Sequence, residues 1–311
     1  MKMIINKAPI PIAGLMLALA AAGNLVLSYG EVYRNIFGVL SAVIMFLLVV
    51  KMCTVPKSLA EGFENPVVAG VMPTFSMSLM ILSTYMKPYF YTAAYCLWLL
   101  GLSLHAVLML YFTKKYIFNF NIKKVFPSFF IVYVGIVCGS VTAPVFGMTN
   151  FGRFLFWFGF TSYLILLPLI IYRVVVIKGI PEPAVPTIAI FSAPASLCLA
   201  GYLNSFQQKN MAMVAFLSIL SLVMYISVML YIPKILKLKF YPSYSALTFP
   251  FVITAVAMKG TYAFLTKTGK TIPLFMYLTK FAELWAIGMV LYVLIRYAIF
   301  LLKPDDRMLL N

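Results

Sequence analysis

The sequence predicts an all-α integral membrane protein whose ten transmembrane helices form five quasi-repeated helical hairpins. Three observations lead to this fold class. Of the 311 residues, 64% are hydrophobic, only 10% are charged, and proline-initiated apolar segments recur along the chain. Soluble domains normally contain about 25% charged residues. Residues 1–311 are therefore expected to form a single membrane domain.

Ten segments are long and apolar enough to cross a bilayer, whose hydrocarbon core requires about 20 residues of helix. The first follows Lys2 and Lys7 and is expected to be retained rather than cleaved, because it is long enough to span and further spans follow it. The ten segments are 10–29, 36–54, 67–85, 90–113, 126–146, 153–176, 185–205, 211–233, 243–264 and 273–302. The loops between them are too short to form a soluble domain.

The charge of the loops predicts the orientation. An even number of spans places both termini on one side of the membrane. The loops and ends on that side carry fifteen Lys and Arg residues, Arg307 included, against six on the other side. Because basic loops remain in the cytoplasm, both termini are expected to be cytoplasmic.

The odd-numbered segments share a composition that the even ones lack. They begin with Pro9, Pro66, Pro127, Pro186 and Pro242, at intervals of 57, 61, 59 and 56 residues, and are rich in Gly, Ala, Ser and Thr. The even segments carry Leu, Ile, Val, Met and Phe on nearly all faces, as lipid contact requires. Since small residues let helices approach closely, the odd helices are predicted to form an inner ring around a central pore.

Further prolines recur inside three of these odd segments. Pro73, Pro194 and Pro250 follow the starting prolines by seven or eight residues. Each removes a backbone N–H and frees a carbonyl, which membrane helices tolerate where neighbours or water satisfy the backbone. The common register predicts a shared kink around a hydrated lumen, although proline is frequent in membrane helices generally. Gly14 replaces this proline in the first segment, and Pro144 is expected to kink the fifth out of register.

Several function classes find no support in the sequence. The cysteines are far apart and form no CxxC motif, so a disulfide framework or a metal site is not expected. They are predicted to be small buried apolar residues: Cys53, Cys96, Cys138 and Cys198. His105, the only histidine, either hydrogen-bonds within the bundle or carries protons. Because no nucleotide-binding, hydrolase or zinc-protease motif occurs, we expect no enzyme activity, no cofactor and no nucleic-acid partner.

Charge also indicates what the pore conducts. The loops opposite the termini carry six basic residues against Glu31 alone, an excess that topology does not require. A positive mouth concentrates anions and repels cations. Lys259, near the outer end of the ninth segment, is the candidate for anion attraction. Lys280 and Glu283, three residues apart, are expected to pair on one helix face.

Four motifs on alternate segments resemble those of a known family. They are "NPVVAGVMPTFSMS", "FPSFF", "PTIAIFSAPASLCLAGY" and "YSALTFPFVITAVA". In this order they are similar to the tellurite-resistance/dicarboxylate transporter family, which includes bacterial tellurite-resistance proteins, fungal malate and sulfite transporters and the plant slow-type guard-cell anion channel. The resemblance covers essentially the whole chain. It implies a ten-helix protomer with a pore lined by the odd helices, commonly assembled as a homotrimer.

The resemblance also implies that a phenylalanine on the ninth helix occludes the pore. The matching residue is Phe249, between Thr248 and Pro250 and close to Ser245. The small neighbours Ser245 and Thr248 are expected to line the pore beside it. Phe251 and Phe75 are rivals for the occluding position.

These observations predict an anion channel or facilitated anion transporter of the plasma membrane. Its permeant species are small inorganic anions, with sulfite and C4-dicarboxylates such as malate as further candidates. The alternative is a proton-coupled secondary transporter of dicarboxylates or tellurite-type oxyanions, which requires a titratable relay for which only His105 and Glu283 are available. A membrane enzyme or receptor would need a catalytic or ligand-binding loop, and none is evident.

Overall fold

The computed structural model describes residues 2–270 and 272–303. Within these residues, ten helices are long and apolar enough to span a membrane. We number them α1 to α10: Ile12–Tyr29, Glu31–Thr54, Pro66–Met86, Tyr91–Ile117, Phe129–Phe146, Thr149–Ile177, Glu182–Ser205, Met211–Leu236, Pro242–Lys267 and Pro273–Leu302. Asp305, Asp306 and Arg307, which enter the charge balance of the sequence, lie outside the described residues.

Burial separates the helices into two rings. In the odd helices, 67% to 89% of the most apolar stretch is buried, whereas in every even helix the share is 28%. Each odd helix packs against the even helix that follows it, which confirms the five hairpins. Contacts between successive odd helices, and between α9 and α1, close the inner ring. The predicted two-ring architecture is therefore confirmed.

Both ends of the described chain lie on one face of the bundle, because Lys7 Nζ donates a hydrogen bond to the Lys303 carbonyl at 2.6 Å. We call this the terminal face and the opposite one the distal face. The short helices Lys2–Lys7 and Lys57–Glu64 also lie on the terminal side, before α1 and between α2 and α3.

Close packing of the inner ring depends on residues without side chains. A Cβ atom on Gly14 of α1 would lie 3.1 Å from both Cβ and Oγ of Ser245 on α9. A Cβ on Gly201 of α7 would lie 2.6 Å from a methyl group of Val137 on α5. The small residues of the odd helices thus allow the helices to approach each other closely, as their composition predicts.

Four of the five odd helices are interrupted. α3 consists of Pro66–Val71 and Pro73–Met86, and α5 breaks between Phe129–Val134 and Val137–Thr142. α7 begins as the 3₁₀ segment Glu182–Ser192, and α9 begins as the 3₁₀ segment Pro242–Leu247. Three interruptions coincide with the prolines that predict them.

The fifth helix corrects one expectation. Its interruption lies at Gly135 and Ile136 rather than at Pro144, which falls in a short 3₁₀ turn near the distal end of the helix. Gly135 follows Pro127 by eight residues, the same interval as in α7 and α9. Glycine weakens a helix by its conformational freedom, so here it takes the position that proline holds elsewhere. The fifth helix is therefore in register with the others.

The cysteines divide between the two rings. Cys138 and Cys198 are buried in the inner ring, as expected, and all four thiols are free. Cys53 and Cys96 are exposed, so the prediction that all four are buried is wrong. Both lie on even helices, α2 and α4, whose outer faces have no protein neighbour within the described chain.

Candidate functional site: an axial cavity

A small cavity of about 40 Å³ lies on the axis of the inner ring at the level of the helix interruptions. All five odd helices contribute to its wall, for example through Gly14, Met77, Val134, Pro194 and Phe249. Because each break displaces backbone at the same depth, the five helices cannot close completely on each other here. The interruptions of the helices therefore account for the cavity.

The wall of the cavity is almost entirely apolar. Among its side chains only Thr74 and Ser245 carry a hydroxyl group, and none is charged. The Thr74 hydroxyl donates to the Val71 carbonyl at 2.7 Å, so it satisfies the backbone beside the break in α3. An apolar constriction of this kind resists the entry of a hydrated ion.

Phe249 lies at the junction between the 3₁₀ and α-helical parts of α9. The residue before it, Thr248, has φ −115° and ψ −81°, which interrupts the helix. The Phe249 side chain is 6% exposed and borders the cavity. No other aromatic ring pairs with it within the described residues, so no aromatic pair holds the ring in place.

The two rival phenylalanines lie elsewhere. Phe251 is fully buried and packs edge-on against Tyr225 of α8 at 6.1 Å and Trp285 of α10 at 6.2 Å between ring centroids. Its side chain therefore points outward between helices. Phe75 is buried in α3 but does not border the cavity.

Sequence reasoning missed a second aromatic residue in the cavity. Phe130 of α5 lines the wall and packs edge-on against Tyr163 at 5.8 Å and Phe191 at 5.6 Å. These contacts fix its ring more firmly than that of Phe249. Phe130 occurs in the quoted motif "FPSFF", but nothing in that motif alone assigns it to the axis.

The other predicted pore residues divide into two groups. Gly14, Ser245, Pro194 and Pro250 line the cavity together with Phe249. Pro73 and Thr248 do not border it, and both are buried. The Thr248 hydroxyl donates to the Ser245 carbonyl at 2.6 Å and lies 3.3 Å from the Gly14 carbonyl. This residue therefore stabilises the interruption of α9 without bordering the cavity.

A second crevice lies between the cavity and the terminal face. Its volume is about 380 Å³, and it is formed by the starts of all five odd helices, including Pro11, Pro66, Phe126, Pro183 and Pro242. Val71 borders both spaces. The crevice and the cavity therefore follow one axis, which runs from the terminal face to the level of Phe249.

Lys259 belongs to a charged cluster at the distal end of the inner ring. Its ammonium group donates to the Leu25 carbonyl at 2.9 Å, to Ser28 Oγ at 2.8 Å and to Glu283 Oε1 at 3.0 Å. The Tyr29 hydroxyl donates to Glu283 Oε2 at 3.1 Å. The cluster joins α1, α9 and α10, and the charge of Lys259 is compensated within it.

The expected pairing of Lys280 with Glu283 is wrong. Lys280 Nζ instead donates to the Tyr29 hydroxyl at 2.8 Å, and Glu283 forms its ion pair with Lys259. Tyr29 thus stands between the two residues that helical spacing would pair. The spacing along α10 could not reveal a tyrosine supplied by α1.

His105 is a hydrogen-bonded residue of the bundle, as one of its two predicted roles requires. It lies on α4 and is fully buried. Its Nε2 is 3.0 Å from the Val132 carbonyl, and its Nδ1 is 2.9 Å from Ser76 Oγ. Because a carbonyl only accepts, Nε2–H donates to Val132, and the Ser76 hydroxyl beside Nδ1 also reaches the Pro73 carbonyl at 2.7 Å. His105 therefore links the outer ring to α3 and α5 beside their interruptions.

Two comparisons relate this chain to known proteins. The family model described as voltage-dependent anion channel, SLAC1, matches residues 9–301. The match covers all five inner helices and nearly the whole outer ring. A search among curated proteins gives no match.

Proposed function

Because the chain belongs to the voltage-dependent anion channel family, whose members are channels or transporters, we propose that it is an anion channel occluded by Phe249. Family membership identifies a multi-pass membrane protein for anion permeation. The channel mode, the occluding residue and the plasma membrane as its location are the proposal. The observation that carries it is the axial cavity, to which all five inner helices contribute at the level where four of them are interrupted.

The proposed mechanism follows from the chemistry of the cavity wall. With Phe249 in its present position, the wall offers no charge and few hydroxyls to an anion that loses water. Displacement of the ring opens a path past Ser245 and the freed backbone of α9. Since no cationic side chain lines the cavity among the described residues, an anion binds weakly there, and weak binding favours fast release.

The permeant species are small inorganic anions such as chloride and nitrate. Sulfite and C4-dicarboxylates such as malate extend this range, because selectivity in an apolar passage depends on dehydration and size more than on specific ligands. The excess of basic residues in the loops supplies the preference for anions over cations.

A proton-coupled carrier of dicarboxylates or tellurite-type oxyanions receives less support. Coupling requires a titratable group that faces the passage. His105 lies behind α3 and α5 with both ring nitrogens hydrogen-bonded, and Glu283 is ion-paired in the distal cluster. Neither borders the cavity.

The assembly and orientation complete the proposal. Residues 1–311 form one membrane domain with both termini in the cytoplasm, which the excess of basic residues on the terminal side supports. A homotrimer with one pore in each protomer rests on the family resemblance.

The proposal is tested by planar-bilayer recording of the purified protein under a salt gradient. We expect the reversal potential to follow the anion gradient, with nitrate, sulfite and malate substituted in turn for chloride. A reversal potential that follows the cation would contradict anion selectivity. Uphill uptake driven by a pH gradient, without passive current, would establish the carrier instead.

A further inference from the structure

A second cavity of the molecule opens sideways rather than along the axis. We call it the lateral groove, and it lies between α6, the 3₁₀ part of α7 and α8. Its volume is about 1390 Å³, counting the space open to the surroundings. Its wall is largely apolar and includes Val174, Val185, Phe191, Met224 and Tyr231. A groove of this composition on the lipid-facing side of a membrane protein suits a hydrocarbon chain.

The length of the groove corresponds to one leaflet. Along α8 it runs from Met224 to Tyr231, and Lys234 follows one turn later. The ten helical steps from Met224 to Lys234 span about 15 Å of helix. This is half the thickness of a hydrocarbon core of about 30 Å. The groove therefore extends from near mid-membrane to the terminal face.

The terminal end of the groove is positively charged. Lys178 lines it directly, and the ammonium group of Lys234 lies 5.4 Å from the centre of the Tyr231 ring. The nearby carboxylate of Glu182 accepts a hydrogen bond from the Tyr241 hydroxyl at 2.7 Å. Because Tyr241 lines the axial crevice, this bond directs Glu182 away from the groove. Two lysines thus flank the terminal end of the groove, and a lipid with its acyl chain in the groove would place its phosphate beside them.

The backbone that presents Lys178 is unusual. Lys178 has φ 57° and ψ −162°, a conformation that is otherwise nearly restricted to glycine. Arg173, itself buried, donates one hydrogen bond to the Lys178 carbonyl and another to the Lys123 carbonyl at 3.2 Å. Such conformations persist where the surrounding structure enforces them and cluster at functional sites.

The geometry points to an anionic phospholipid as the occupant of the lateral groove. One acyl chain lies against Phe191 and Val185, and the phosphate lies between Lys178 and Lys234. Phe191 also packs against Phe130 at 5.6 Å, and Phe130 lines the axial cavity. An occupied groove therefore braces the wall of the cavity, an effect that rests on the proposed function, whereas lipid binding itself does not.

Native mass spectrometry of the delipidated protein tests this site directly. Phosphatidylglycerol and phosphatidylcholine are titrated separately against the wild type, the double variant Lys178→Gln/Lys234→Gln, and Ser227→Trp. Ser227 is exposed and lines the groove, so tryptophan there fills the groove without changing the charge. The matched control is Lys57→Gln/Lys114→Gln, which removes two exposed lysines from elsewhere on the terminal side.

We expect the wild type to bind one more phosphatidylglycerol per protomer than Ser227→Trp does. Each lysine near the membrane surface contributes about a fivefold gain in affinity for an anionic lipid, so the groove double variant loses about 30-fold while the control is unchanged. Equal affinity of the two double variants, or unaltered lipid binding by Ser227→Trp, would overturn the proposal. If Ser227→Trp lowers the oligomeric mass while lipid binding persists, the groove is an interface between copies, and the lipid assignment is wrong.

Discussion

Replacement of Phe249 by alanine tests the proposed occlusion most directly. The ring borders the axial cavity and pairs with no aromatic ring in the part of the chain that the structure describes, so its resting position depends on the apolar contacts that its own burial provides. At 6% exposure the side chain is almost fully removed from water. In the variant, the methyl group of alanine cannot reach across the cavity, and conduction no longer requires displacement of a ring.

The size of the effect follows from the burial of the ring. Burying a phenylalanine side chain stabilises it by about 1.5–3 kcal/mol relative to exposure. If opening requires the ring to give up these contacts, the open fraction of the wild type is reduced by a factor of about 10 to 150, at 1.4 kcal/mol per tenfold change. We therefore expect Phe249→Ala to increase macroscopic anion conductance by about one to two orders of magnitude.

Phe251→Ala provides a matched control. The same side chain is removed two residues away, but from a packed position between Tyr225 and Trp285. This variant should lower the thermal stability and leave the conductance of each folded channel unchanged. Currents are measured in bilayers at equal protein content, with folding checked by size-exclusion chromatography. Conductance of Phe249→Ala within threefold of the wild type, or an equal increase in Phe251→Ala, would refute the occlusion by Phe249.

Three further changes test other parts of the site. Glu283→Gln leaves Lys259 without its counter-charge, so anion current should rise at low ionic strength and the difference should vanish near 1 M salt, where the Debye length is about 3 Å; an effect independent of salt would contradict an electrostatic role. Gly14→Val places a Cβ only 3.1 Å from the side chain of Ser245 on α9 and should reduce stability by about 1–3 kcal/mol in thermal unfolding, whereas Gly288→Val, at a position with open space, should have little effect. His105→Ala leaves the buried Val132 carbonyl without its side-chain partner, whereas Ser76 keeps its bond to the Pro73 carbonyl, so the variant should lose about 1–3 kcal/mol of stability while passive anion current remains; loss of a pH-driven uptake in this variant would assign coupling to the histidine.

The sequence predicts the architecture well because the inner helices share one physical requirement. All five must approach their neighbours closely, which small residues allow, and three of them are interrupted at prolines that the sequence displays. The outer ring was recognised for the opposite reason, since lipid accepts apolar residues on any face. Because the outer helices are apolar on nearly all faces, their sequence does not show whether Cys53 and Cys96 face lipid or protein.

The details that escaped prediction depend on contacts between distant segments. Tyr29 lies between the side chains of Lys280 and Glu283, although in the chain it is about 250 residues away from both. Gly135 was overlooked because a search for prolines does not detect a glycine that interrupts a helix at the equivalent interval. Phe130 was visible in a motif, but only the closed ring shows that its side chain reaches the cavity.

The long 3₁₀ segment of α7 makes this helix longer than it would be if the same residues were α-helical. Its eleven residues, Glu182–Ser192, rise about 2.0 Å each, against 1.5 Å in an α-helix. Over eleven residues the difference is about 5.5 Å, close to one helical turn, so these residues reach further along the axis than an α-helix of the same length would. Runs of this length are uncommon in 3₁₀ form. Here Pro186 lies inside the segment and Pro194 follows it, and neither residue has the N–H group that an α-helical hydrogen bond would require.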